Sequence, residues 1–121
     1  MSATPNSVAH FGPEGSFANL VAREHFGVRD FVPCQTVGEV FDFVSSSPDH
    51  CGIVPVENST GGIIQETIRE ITREATGNLQ ILEELTLDVK LALLGREGVK
   101  ITKVYSYFAP LDHCRFWLRE N

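Results

Sequence analysis

An α/β fold with a mainly parallel sheet is what this sequence predicts, on three observations. Short apolar runs around Val8, Phe31 and Ile53 alternate with stretches whose apolar residues recur at helical spacing. Two of the runs end in polar, glycine-marked loops, Gly12-Pro13-Glu14-Gly15-Ser16 and Glu57-Asn58-Ser59-Thr60-Gly61-Gly62. The chain between successive runs is long enough for a crossover helix, which parallel pairing requires.

Taken in order, Val8-Ala9-His10-Phe11 reads as a strand. Phe17, Leu20, Val21, His25 and Phe26 then fall on one helical stripe, with Ser16 as N-cap and Gly27 as the stop. The glycine loop between them lacks both the Lys-Ser/Thr ending of a P-loop and the full GxGxxG spacing, so it reads either as an anion-binding loop or as a turn tightened by Pro13. Residues 31–34 form a second strand, with Pro33 near its end or on a sheet edge. Residues 36–46 form a helix with Val37, Val40, Phe41 and Val44 on one face, and Ser45-Ser46-Ser47-Pro48-Asp49 turns the chain into a central strand over 52–56. The polar loop 57–62 follows, then a helix carrying Ile63, Ile64, Ile68 and Ile71, which completes a βαβαβα pattern ending near Thr76.

The pattern changes after Gly77-Asn78. Residues 79–94 alternate apolar and polar, most clearly from Leu85 to Leu91, and predict two strands or one that bends between lobes. A turn at 95–98, a strand over 101–105, a loop at 106–109 and a helix over 110–119 with Leu111, Cys114 and Leu118 aligned complete the chain, with Pro110 in that helix's first turn.

A hydrophobic content of 42% is enough for a core, which argues against disorder. Ten Lys and Arg against 16 Asp and Glu give a net charge of −6, with no basic cluster, so neither nucleic acid nor an anionic membrane is an expected partner. Three cysteines without CxxC spacing suggest neither a disulfide framework nor a zinc site. No metal is expected. The polar start and the lack of a long apolar run predict a soluble, unsecreted protein, with a reducing cytoplasm as its home.

The chemistry concentrates in the loop 57–62. Asn, Ser and Thr side chains donate to anionic oxygens, and two glycines let backbone approach a ligand closely. In an open α/β sheet such loops lie beyond the strand carboxyl ends, beside helix N-termini with unpaired N–H groups. The alternative reading is a plain loop whose Ser or Thr caps the next helix.

Phe11-Gly12-Pro13-Glu14-Gly15-Ser16-Phe17, then Gly52-Ile53-Val54-Pro55-Val56-Glu57-Asn58-Ser59-Thr60 with Gly62 and Thr67, then Glu83-Glu84-Leu85 leading to Leu93-Leu94, then Val104-Tyr105-Ser106, together resemble the catalytic region of prephenate dehydratases over nearly the whole chain. The resemblance implies a two-lobed fold like the type 2 periplasmic binding proteins, with a first lobe over 1–86 and the beginning of a second α/β lobe over 87–121; the family's ACT regulatory domain is not expected in these residues. It implies conversion of prephenate to phenylpyruvate, with loss of carbon dioxide and water, on the way to phenylalanine, without any cofactor. It assigns Glu57 and Asn58 to catalysis, and Gly15, Ser16, Asn58, Ser59, Thr60, Ser106 and His113 to substrate. Neutral donors suit a dianionic substrate, and Glu57 beside it is expected to orient its neighbours or to work protonated. Relatives of this kind are commonly dimeric or larger, so a homo-oligomer is expected.

The departures from that pattern are specific. Leu91 stands where the family usually has His ahead of its Leu-Leu pair, Tyr107-Phe108-Ala109 where it reads His-Pro-Gln, and His113 where it has Gln before the Cys. The family's Thr-Arg-Phe motif, whose Thr assists departure of the hydroxyl and whose Arg meets a carboxylate, does not occur in these 121 residues. A chain lacking it is expected to have little or no dehydratase activity. Two other functions stay open: a non-catalytic binder of small carboxylic acids, and a prephenate decarboxylase relative. His10 and His25 read as strand-end and helix-end residues, His50 as a turn residue, and Cys114 as core.

Overall fold

The computed structural model describes residues 4–73 and 77–121. The residues Met1, Ala3, Glu74 and Thr76 that bound the polar start and the end of the βαβαβα pattern lie outside that set. The chain divides into two compact units, Met1–Leu87 and Asp88–Asn121.

In the first unit β1 (Ser7–Phe11), α1 (Phe17–Phe26), β2 (Asp30–Cys34), α2 (Val37–Ser45) and β3 (His50–Ile53) follow one another. The three strands form a parallel sheet in the order β2-β1-β3, with Ser7 opposite both Asp30 and His50. The middle strand is therefore β1. The expected central strand over 52–56 is the edge strand β3, and it ends at Ile53, because Pro55 has no N–H to offer a ladder and the chain turns away into a hairpin. Val8 and Ala9 are fully buried in β1, where a strand covered on both faces has an unbroken apolar run. Pro33 lies on the other edge strand, opposite His10.

The first two helices begin where the sequence placed them. Ser16 Oγ accepts from the Asn19 amide at 3.3 Å, and Gly27, with φ +68, ends α1 by donating its N–H to the Arg23 carbonyl. Thr36 Oγ1 accepts from the Glu39 amide as the N-cap of α2, and Glu39 Oε2 accepts from the Gln35 amide, one residue ahead of the cap, at 2.7 Å. Ala9, Cys34 and Val40 form the core cluster, with Phe11, Val32, Phe43, Val44 and Val54 packed against it.

Beyond β3, a two-residue antiparallel hairpin, β4 (Glu57–Asn58) with β5 (Gly62–Ile63), leads into α3 (Gln65–Thr72). Ile63 thus belongs to the hairpin and not to the helix.

The strands expected over 79–94 and 101–105 do not form. Those residues run without regular structure apart from the turn near Gly98, where Val99 N donates to the Arg96 carbonyl. Alternation makes a segment amphipathic, but a strand exists only where a neighbour accepts its N–H groups, and no described residue pairs with these. The second unit is consequently helical, not α/β: α4 (Phe108–His113) and α5 (Arg115–Glu120), separated at Cys114, replace the single helix expected over 110–119. Its Cys114 and Leu118 are half-buried, while Leu94, Tyr105, Phe108, Phe116 and Trp117 are exposed.

Candidate functional site

Parallel pairing of β1 with β3 sets His10 opposite Ile53, so the loop 12–16 and the segment leading to 57–62 leave the same end of the sheet from neighbouring strands. The third strand ends there too, for Gly12 N donates to the Cys34 carbonyl at 2.8 Å.

The hairpin 57–62 is held at its base. Ile64 N donates to the Val56 carbonyl at 2.8 Å, and the buried Thr67 hydroxyl donates to the Pro55 carbonyl at 2.6 Å, tying α3 back to the chain before the hairpin. Nothing in the spacing marked Thr67 as this anchor. Its tip is closed by Asn58, whose Oδ1 accepts from the Thr60 amide at 3.1 Å and from the Gly61 amide, an Asx turn. A Cβ at Gly61 would meet Asn58 Oδ1 at 3.2 Å, a tight approach that the Asn58 side chain would have to yield to. With its oxygen engaged, what Asn58 has to offer a ligand is the Nδ2 donor. Glu57, Asn58, Ser59 and Thr60 are all exposed. None of them caps α3, whose N-cap is Ile64 without a side-chain hydrogen bond, so the reading of this loop as a Ser/Thr cap is overturned.

In the loop 12–16 the predicted backbone donors are already engaged. Gly15 N donates to Asn19 Oδ1 at 3.0 Å, and Ser16 N to the Pro13 carbonyl at 3.1 Å. Ser16 Oγ donates to the Phe11 carbonyl while it accepts from the Asn19 amide. An anion at the start of α1 therefore meets the amides of Phe17 and Ala18, which have no partner four residues back in the helix. Ser106 lies in the irregular segment ahead of α4, and His113 is the last residue of α4; both are exposed. Two surface hollows lie elsewhere, one lined by Arg23, Arg29 and Phe31, the other by Val21, His25 and Thr86.

Beneath the loop 12–16 sits a pair that the sequence did not mark as functional. His10 is only 1% exposed, and its Nε2 lies 3.1 Å from Asn19 Nδ2. Burial pushes the His10 imidazole below its ordinary value of 6.5, an effect that the backbone of Phe11 and Gly12 offsets only in part. A base held below its unfolded value makes the unfolded chain the better proton acceptor. Stability is then level above about pH 6.5 and falls as the pH drops below it. Thermal melts at pH 7.5 and pH 5 are expected to show that loss in the wild type, and His10→Phe is expected to reduce it; equal slopes would remove His10 as its source. Burial also pushes the Cys34 and Cys51 thiols up, so neither is a ready thiolate nucleophile. Among the described residues no three His, Cys, Asp or Glu side chains come together as a metal site, and no helix is long and apolar enough to cross a membrane.

A three-stranded parallel sheet with helices between its strands, and two polar loops leaving one end of it, makes this an α/β protein. The family model described as prephenate dehydratase matches residues 8–121, and the chain belongs to that family. It is 36% identical over 118 residues to a bifunctional chorismate mutase/prephenate dehydratase of Pseudomonas aeruginosa, covering 94% of this chain and 32% of the relative. It is 32% identical over 117 residues to the bifunctional protein of the same description from Aquifex aeolicus, with the same two coverages. A prephenate dehydratase of Lactococcus lactis is 29% identical over 114 residues, with 94% of this chain and 40% of the relative covered. The chain thus spans about a third of the length of the curated relatives it matches. No solved structure matches it.

Proposed function

We propose that this chain carries the part of a prephenate dehydratase that binds the substrate carboxylates, for the conversion of prephenate to phenylpyruvate in phenylalanine biosynthesis. The observation that supports this most is the emergence of the loop 12–16 and the hairpin 57–62 from adjacent strands at one end of the sheet. In that reaction the ring carboxylate leaves as carbon dioxide, its electron pair moves into the ring, and the ring hydroxyl departs with a proton as water. The residues at hand supply binding and orientation: Asn58 Nδ2, the Ser59 and Thr60 hydroxyls and the α1 amides toward the carboxylates, with Gly15 and Ser16 shaping the loop. Glu57 orients the hairpin or acts protonated. Ser106 and His113 are the remaining substrate-binding residues of this reading, in a two-lobed fold of the type 2 periplasmic binding-protein kind with a first lobe over 1–86 and a second starting at 87. A cytoplasmic location is supported by three free cysteines, and self-association by the exposed apolar residues of 88–121.

These 121 residues contain no Thr-Arg-Phe, and loss of one such donor typically costs ~10²–10³ in turnover, so a preparation of these residues alone is expected to bind rather than to turn over. The test is one preparation of the 121-residue chain, assayed for prephenate binding, for phenylpyruvate formation and, by light scattering, for mass. Binding without appreciable turnover, in a dimer or larger species, is the expected result. Turnover like that of a complete enzyme would overturn the binder reading, absence of binding would overturn the substrate assignment, and a strict monomer would remove the oligomer.

A further inference from the structure

Asn19 is 2% exposed and lies at the junction of three elements. Its Oδ1 accepts from Gly15 N in the loop at 3.0 Å and from Arg23 Nε on α1 at 3.2 Å, and Arg23 in turn bridges to Glu14 of the same loop at 2.8 Å. Two donors on Oδ1 fix which way the amide faces. Its Nδ2 is then turned to His10 Nε2, so that nitrogen accepts and the ring proton sits on Nδ1. His10 Nδ1 is buried and has no hydrogen-bond partner among the described residues. A buried donor left without a partner is destabilising, and a phenylalanine at this strand position would avoid that cost. The polar ring at such a cost in the middle strand asks for a role that packing does not supply.

We propose that His10 is a positioning residue: as an acceptor in the core it locks the Asn19 amide, and through it the Gly15 amide, so that the loop 12–16 presents the Phe17 and Ala18 amides to a carboxylate. This rests on the reading that the loop borders the substrate site. Without an acceptor at position 10 the Asn19 amide is free to turn over, which would bring its Nδ2 against the donors of Gly15 and Arg23 and loosen the loop. Pre-organisation lost in this way weakens binding without removing any ligand contact.

The experiment compares His10→Phe with His10→Gln in the 121-residue chain, reading Gly15 amide hydrogen exchange and phenylpyruvate affinity. A packing role predicts that Phe is the better substitute, because Gln buries a polar group. The positioning role predicts the reverse order: His10→Phe speeds Gly15 exchange and weakens phenylpyruvate by about three- to tenfold, the worth of one hydrogen bond, while His10→Gln, whose Oε1 accepts from Asn19, stays near wild type. Phe equal to or better than Gln in both readouts overturns the proposal. Asn58→Ala serves as the parallel arm. If it weakens phenylpyruvate and His10→Phe does not, this inference fails alone; if neither does, the site reading fails with it. Asn19→Asp adds an independent readout, since it keeps the Oδ acceptors and replaces the donor facing His10. The imidazole should then titrate above 6.5 in proton spectra, and titration that stays below 6.5 contradicts the pairing.

Discussion

Gly52→Ala is expected to destabilise the first unit severely, by about 2–3 kcal/mol or more, the upper range for an overpacked core. A Cβ at Gly52 would stand 2.6 Å from Val40 Cγ1 and 2.8 Å from Val44 Cγ2, closer than real Cβ atoms come. Neither valine has an easy escape. Both are β-branched with one favoured rotamer in a helix, and Val40 is 2% exposed within the core cluster. Relief would have to come from moving α2 off the sheet, and with it the α2–α3 contact in which Glu66 Oε1 accepts from the Val37 amide. Gly38→Ala, on the same helix, is the control. Its Cβ would meet Glu70 Oε1 at 3.5 Å and Glu70 Cδ and Thr36 Oγ1 at 3.8 Å, all ordinary van der Waals contacts, so relief of glycine's entropy cost in a helix should stabilise by about 0.5–1 kcal/mol. Denaturant melts of the two variants should therefore shift in opposite directions, and a Gly52→Ala midpoint like wild type would show that β3 and α2 are not packed as described.

The second large effect concerns Asn58. Its Nδ2 is the donor that the Asx turn leaves to a ligand, so Asn58→Ala is expected to weaken carboxylate binding by about 1–3 kcal/mol, or about 5- to 150-fold. The same change also removes the acceptor of the Thr60 and Gly61 amides, which would loosen the hairpin. Asn58→Asp separates the two roles. It keeps an acceptor for the turn while exchanging the ligand donor for a carboxylate that repels the substrate's own. A purely structural Asn58 would make alanine the worse substitution; a ligand-binding Asn58 makes aspartate the worse.

What the sequence revealed and what it hid divide along local and non-local lines. Ser16 and Gly27 were legible as cap and stop because their hydrogen bonds close within four residues, and the strands around Val8 and Phe31 because each is a short apolar run bounded by turn signals. The sheet order was not legible: that β1, and not the strand at Gly52, lies in the middle depends on pairing across crossovers. The same limit explains the failed strands of 79–94 and 101–105, whose alternation is local and whose missing partners are not. At the site, residue types pointed to Asn58, Ser59 and Thr60, and the family motif to Gly15 and Ser16. That Gly15 N is already bonded, and that His10 and Asn19 hold it, follows only from where β1 meets α1. A histidine at a strand end has no sequence signature separating a satisfied core residue from a positioning one.

The most direct test of the carboxylate site is a calorimetric titration of phenylpyruvate into the wild-type chain, Asn58→Ala, Asn58→Asp and Asn78→Ala, the last altering an exposed asparagine outside the hairpin. Affinity is expected to fall in the order wild type, alanine, aspartate at position 58, with Asn78→Ala indistinguishable from wild type. Equal affinities for wild type and both position-58 variants would contradict the account and leave the hairpin 57–62 as a turn without a ligand.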